Sequence, residues 1–338
     1  MRQKYFTIKY FIVIALISIL LIPSLVYANK GSMIIYPRNV HLEEAGQNAI
    51  VAWNGNEEII ILSTDMRSSE STLVLELIPL PSNPTKVEEG SSESFTKLVE
   101  IINRKVREMR TRTLTKKAKA LGVEITFHKK IGAHDVTIVK VSDLDYFISW
   151  VKDFLTSKEF EYVEFPSNFK TTISNYLNRN INHFVFDVIE TNESLQTINP
   201  LIYRFKSNYL YYPLEITATS DVGWSSPRVN IFLITKGIIN QTVVRNAGLY
   251  PRIGFNEYNI RLTRAELKEI SPELEDLFKS DAFVMNAQYF GPLNKLKKDL
   301  IIHQQDISKP IEHTNLMIIV SIIIVLIIMT AIYKKFKK

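Results

Sequence analysis

An uncharged, isoleucine-rich run from Leu316 to Tyr333, followed at once by Lys334, Lys335, Lys337 and Lys338, sets the frame for the rest of this 338-residue chain. At a rise of about 1.5 Å per residue, a helix of that length crosses about 30 Å of hydrocarbon. Lysines beside a spanning helix stay on the cytoplasmic side, so the preceding residues are expected outside. The other end agrees. Arg2, Lys4 and Lys9 precede the apolar stretch Tyr10 to Ile22, Pro23 breaks it, and Val26-Tyr27-Ala28 ends on the small residue of a signal cleavage site. The expectation is a signal peptide over 1–28, an exported domain over 29–305, a polar stalk over 306–314, a transmembrane helix over 315–333 and a basic cytoplasmic tail over 334–338.

Charge and cysteine usage narrow the function classes. The formal net charge is +6, but setting aside Arg2, Lys4, Lys9 and the four tail lysines leaves 34 bases against 35 acids. A nucleic-acid protein carries its basic surplus on the folded domain, so none is expected to bind here. The chain has no cysteine, which excludes a disulfide framework, a thiolate metal site and a cysteine nucleophile. Asn192-Glu193-Ser194 and Asn240-Gln241-Thr242 are acceptor sequons if the segment is outside the cell.

The exported segment begins with strands. Ala49 to Trp53 and Glu58 to Ser63 flank Asn54-Gly55, a strong hairpin signal, and Leu73 to Ile78 runs into three closely spaced prolines. Phe95, Leu98, Val99, Ile102, Val106 and Met109 make one helical stripe. Strands Val123 to His128 and Asp135 to Val141 are joined by a turn over Lys129-Lys130-Ile131-Gly132. A helix capped by Ser142 or Asp143 follows, then another after Pro166-Ser167. Further strands are predicted over Phe184–Ile189, Leu201–Phe205, Leu214–Thr219, Val229–Thr235, Tyr258–Leu262 and Phe283–Tyr289, with a capping box at Thr263-Arg264-Ala265-Glu266. Strands in runs with helices inserted in blocks predict an α+β fold with a mixed, mostly antiparallel sheet, plus the one C-terminal transmembrane helix.

Four stretches carry a family resemblance: Leu75-Glu76-Leu77-Ile78-Pro79-Leu80-Pro81, Ile131-Gly132-Ala133-His134-Asp135-Val136, Phe184-Val185-Phe186-Asp187-Val188-Ile189, and Tyr203-Arg204-Phe205-Lys206-Ser207 running to Tyr212-Pro213-Leu214. Together they resemble an uncharacterised archaeal and bacterial family known as domain of unknown function 2330. The resemblance implies a signal sequence, one domain and often a C-terminal anchor. It implies no activity.

The chemistry-bearing candidates are few. His128, His134, Asp135, His183 and Asp187 would suit a divalent metal if their strands were neighbours, although their spacing matches no metal motif. His183 and Asp187 are four apart on one strand and share a face. No Gly-x-Ser-x-Gly, His-Glu-x-x-His or phosphate-binding loop occurs, and no cofactor is predicted. A basic run that includes Arg107 and Arg110 could meet an acidic polymer, or be a solvated helix face. Tyr203, Arg204, Tyr209 and Tyr211 could line a recognition surface, or pack in the core as strand residues.

The sequence therefore predicts a single-pass protein of the cell membrane with most of its chain extracytoplasmic. Its expected role is a non-enzymatic binding or envelope-associated one, and the alternative is a metal-dependent hydrolase using the His and Asp residues. Its expected partners are the lipid bilayer and an envelope polymer or protein.

Overall fold

In the computed structural model the described residues are 33–36, 42–112, 134–157, 164–194, 196–197, 199–219, 228–252 and 258–309. The predicted signal, the transmembrane run and tail, the strand Val123–His128 and its turn all lie outside them, and no described helix is long and apolar enough to cross a membrane. In chain order the first strands are β1 (Met33–Tyr36), β2 (Leu42–Trp53), β3 (Glu57–Ser68), β4 (Thr72–Leu80) and β5 (Lys86–Glu89), followed by helix α1 (Glu93–Arg112). Next come β6 (His134–Lys140), α2 (Leu144–Ser157), α3 (Ser167–Asn178), β7 (His183–Thr191), β8 (Gln196–Thr197), β9 (Leu201–Lys206), β10 (Leu210–Tyr212) and α4 (Leu214–Thr217). The last part holds β11 (Arg228–Thr235), β12 (Ile238–Ile239), α5 (Gln241–Asn246), β13 (Tyr250–Pro251), β14 (Ile260–Leu262), α6 (Arg264–Ile270) and α7 (Pro272–Phe278). It closes with β15 (Ala282–Phe290), β16 (Leu300–Ile302) and β17 (Ile307–Ser308).

The fold is α+β and mostly antiparallel, but its strands divide into two main sheets rather than one. The large sheet is nine-stranded, ordered β13-β15-β11-β2-β3-β9-β5 with β14 also on β15 and β8 on β3; the small one is β1-β4-β7-β6. Among the described strands, β11 with β2 is the parallel pair, and every other ladder is antiparallel. The β2–β3 hairpin turns as the sequence predicts. Gly55 takes φ +105°, open to glycine without strain, and Asn54 Oδ1 accepts from the Asn56 and Glu57 backbone N–H groups at 2.9 and 3.0 Å.

Alternation along the strands builds three apolar layers. Odd residues of β2, such as Ala49, Val51 and Trp53, meet Ile78, Leu80 and Val185 of the small sheet in a core between the sheets. Even residues, such as Ile50 and Ala52, pack under α1, α6 and α7. On the far side of the small sheet, Phe184 and Phe186 meet Phe147 of α2 and Tyr176 of α3, with Phe147 centroids 5.5 and 5.6 Å from the two phenylalanines. Each such buried side chain stabilises the fold by about 1.5–3 kcal/mol.

Two predicted elements differ. Leu214–Thr219, read as a strand, starts with the short helix α4. Two distant side chains accept its first N–H groups: Asp299 Oδ1 takes Glu215 N–H at 2.9 Å, and the Tyr176 hydroxyl takes Ile216 N–H at 2.9 Å. An apolar alternation that suited a strand was outweighed by this tertiary capping. The segment predicted as a stalk is described only as far as Lys309. Ile307 and Ser308 pair with Ile239 and Ile238, and a Cβ on Gly237 would lie 2.5 Å from Ser308 O.

Candidate functional site

Strand register decides whether the predicted His/Asp set converges. His134 and Asp135 open β6 opposite Ile189 and Val188, whereas His183 begins β7 opposite Lys140 and Leu80. Six strand steps separate the two histidine positions, about 20 Å. Asp187 lies between them, opposite Val136 and Glu76. Asp187 and Glu76 are 1% and 3% exposed and face the inter-sheet core, where burial and their charges hold the Tyr203 hydroxyl well above its ordinary pKa. His183 is half-buried, and burial together with Lys140 pushes its pKa down. His128 lies outside the described residues, and among those described no three His, Asp or Glu side chains are gathered to hold a metal ion.

The aromatic-basic set mostly serves the core. Tyr203 and Tyr211 are 1% and 0% exposed, so neither offers a ring to a partner. The Tyr211 hydroxyl points to Asp299, and half-buried Tyr209 packs edge-on against Tyr211 and His303. Arg204 is occupied by Glu57 at 2.8 Å and Asp276 at 2.6 Å. Arg107 is exposed on α1; Arg110 belongs to the same helix.

A different surface gathers polar and aromatic groups. The helices cover only one end of the outer face of the large sheet, and past Ile50, Phe232 and Val284 that face changes character. Register places Asn230 of β11 opposite both Asn48 of β2 and Gln288 of β15, Arg228 opposite Phe290, and Tyr250 of β13 opposite Gln288. The amides form a ladder: Asn286 and Gln288 donate to Asn230 Oδ1 at 2.6 and 3.2 Å, and Asn230 Nδ2 donates to Asn48 Oδ1 at 3.3 Å. Beyond the ladder stand two exposed rings, Tyr250 at 55% and Phe290 at 43%. Arg228 and Arg252 lie over the Phe290 ring, their Cζ atoms 5.1 and 5.8 Å from its centroid. The Arg252 N–H donates to Asn286 O at 2.7 Å and so continues the strand beside the ring. Just after Phe290 the strand ends at Gly291, whose φ of +141° suits glycine alone.

Among the described residues the charge on this face meets no acid. Arg104, Arg179, Arg204, Arg261 and Arg264 each meet a carboxylate, whereas among the described residues neither Arg228 nor Arg252 does. The face thus offers flat apolar rings, guanidinium charge and half-exposed amides, and its named side chains include no acid, imidazole or thiol. Sequence reasoning missed it because its members come from four strands. One signal was available: a single Asn on the same face of each of three strands, at 48, 230 and 286.

A second concavity of about 410 Å³ lies between the start of α1 and the α6–α7 junction, lined by Glu88, Glu89, Glu93, Glu269 and Glu273. Its acids are partly neutralised by Lys86, 3.7 Å from Glu273, and the Ser271 hydroxyl donates to Glu273.

No curated protein matches the chain in sequence. Among solved structures it is similar to baculovirus P35, at 11% identity over 68% of this chain and 77% of that one, with a TM-score of 0.35. It is similar also to a caspase-8/P35 complex, at 10% identity over 77% and 96% of the two chains, with a TM-score of 0.36. Residues 26–290 match the profile of a family described for bacteria, without mention of archaea, and they take in every member of the open face. The chain therefore belongs to the family described as uncharacterized protein conserved in bacteria (DUF2330).

Proposed function

We propose that this protein is a non-enzymatic binding domain, exported and tethered to the cell membrane by its C-terminal apolar segment, which engages an envelope partner through the open face of the large sheet. One observation carries the reading: Tyr250 and Phe290 are exposed side by side on a rigid sheet, with Arg228 and Arg252 held over one ring and free of acidic partners among the described residues. Folded domains leave large aromatics exposed sparingly, and rings beside guanidinium groups are enriched where proteins meet ligands. The tether is supported by the uncharged run Leu316–Tyr333 and the lysines after it.

The test is sedimentation of the full-length protein, in detergent, with envelope material from its own cells. Tyr250→Ala with Phe290→Ala is expected to lower the bound fraction by about tenfold without moving the unfolding midpoint, as for removal of two exposed contact rings. Unchanged binding by the double variant would remove this face from the function. Hydrolysis of an envelope component by the wild-type protein would replace binding with catalysis.

A further inference from the structure

Resting on that binding reading, we infer that the ligand of the open face is an acidic polysaccharide, a chain of sugar rings bearing carboxylate or phosphate groups. Charge selects an anion. Between signal and tail the bases and acids nearly cancel, at 34 to 35, yet Arg228 and Arg252 meet no carboxylate among the described residues. Two guanidinium groups beside one ring, with Cζ atoms 5.1 and 5.8 Å from its centroid, attract an anion.

Ring geometry selects a sugar. Tyr250 is opposite Gln288, and Phe290 is two residues further along the same strand, which makes the two rings diagonal neighbours about 7–8 Å apart at Cα. At that spacing the two rings, 55% and 43% exposed, lie within reach of successive sugar rings. Hydroxyls would find the amide groups the ladder leaves over. Among the described residues Asn48 uses only its Oδ1 and Gln288 only its Nε2, so Asn48 Nδ2 and Gln288 Oε1 remain on half-exposed side chains.

The same geometry disfavours an acidic peptide. An extended peptide binds to a free strand edge, or sets its side chains in pockets. Here β11 and β15 are paired on both sides, and the end strand β13, which carries Tyr250, is only two residues long, so the face has little main chain to lend a peptide.

The experiment titrates full-length protein in detergent with polygalacturonate, with uncharged dextran and with poly-glutamate of matched length. Polygalacturonate is expected to bind most tightly and to weaken as salt rises. Phe290→Leu, which keeps apolar bulk and loses the flat ring, should weaken it about tenfold, as should Arg228→Gln with Arg252→Gln. Tyr250→Ala provides an independent reading if a Phe290 variant folds poorly. Equal binding of poly-glutamate, or insensitivity to Phe290→Leu and Tyr250→Ala, would reduce the site to general polyanion attraction and overturn the proposal. Tight binding of dextran would overturn it in favour of a neutral glycan. If no saccharide binds while envelope sedimentation still depends on Tyr250 and Phe290, the polysaccharide falls and the binding reading stands. If sedimentation is also independent of those rings, both fall.

Discussion

Glu58 has no exposed surface, and its two carboxyl oxygens have different surroundings: Oε2 accepts the Tyr211 N–H at 2.7 Å, and Oε1 has no hydrogen-bond partner among the described residues. Burial raises its pKa well above the ordinary carboxyl range, opposed by the Tyr211 N–H. The folded state therefore keeps a proton that the unfolded chain loses, and the contribution to stability is full below the unfolded carboxyl pKa and declines as pH rises through the folded one. Glu58→Gln keeps an acceptor for Tyr211 and cannot ionise. Its unfolding midpoint is expected to gain on the wild type steadily as pH rises from acid to neutral, and a constant gap across that range would refute the assignment. Glu58→Ala, which orphans the Tyr211 N–H, should cost about 1–3 kcal/mol at acid pH and less as pH rises, because it too cannot ionise. Such environments are hidden at the level of single residues. Alternation predicted that His183 and Asp187 share a face, yet the buried carboxyl opposite Asp187, Glu76, belongs to a strand more than a hundred residues earlier. The rings of the open face were missed for the same reason, because Tyr250 begins one unremarkable strand and Phe290 ends another, and only register brings them together.

Elements whose ends are written locally were legible. Thr263 and Glu266 form the predicted capping box, and Ser271 accepts from Glu273 N–H ahead of Pro272. Asp143, one of two residues named as a cap, accepts from Tyr146 N–H at 2.8 Å. The helix α4 was not legible, because its capping groups come from Tyr176 and Asp299, 40 and 84 residues away. Asp299 also ties Arg179 at 3.1 Å and the Tyr176 hydroxyl at 2.9 Å, so one buried carboxylate joins α3, α4 and the approach to β16. Close approach matters equally where β17 docks. A Cβ on Gly237 would meet Ser308 O at 2.5 Å and Ile307 Cγ2 at 2.8 Å, both closer than real Cβ contacts allow. Gly237→Ala should unpair β17 and lower stability by about 1–3 kcal/mol. Amide exchange would show it as lost protection at Asn240, whose N–H donates to Asp306 O at 2.9 Å, and protection equal to wild type would mean that β17 adjusts without cost.

At the scale of the whole molecule, the absence of cysteine makes the proposed topology directly readable. Lys152, exposed on α2, and Lys337 in the basic tail lie on opposite sides of the apolar run. In intact cells Lys152→Cys is expected to react with a membrane-impermeant maleimide, and Lys337→Cys only after permeabilisation; the opposite pattern would invert the tether. The fold class was readable from the alternation of strands and inserted helices. The division into two sheets was not, since it depends on which strands find each other across long separations. The longest of these has a consequence in time. Strand β2 borders β11 in parallel, and Asn48 bonds to a residue 182 positions later. Closing so large a loop is entropically slow, and such contacts form late. A chain emerging N-terminus first therefore carries an unfinished sheet, one long apolar edge unclaimed, until Arg228–Thr235 arrives. Folding waits on delivery of the chain's last third, so a helper that shields strand edges in the interval would raise the yield of native protein more than any single core substitution.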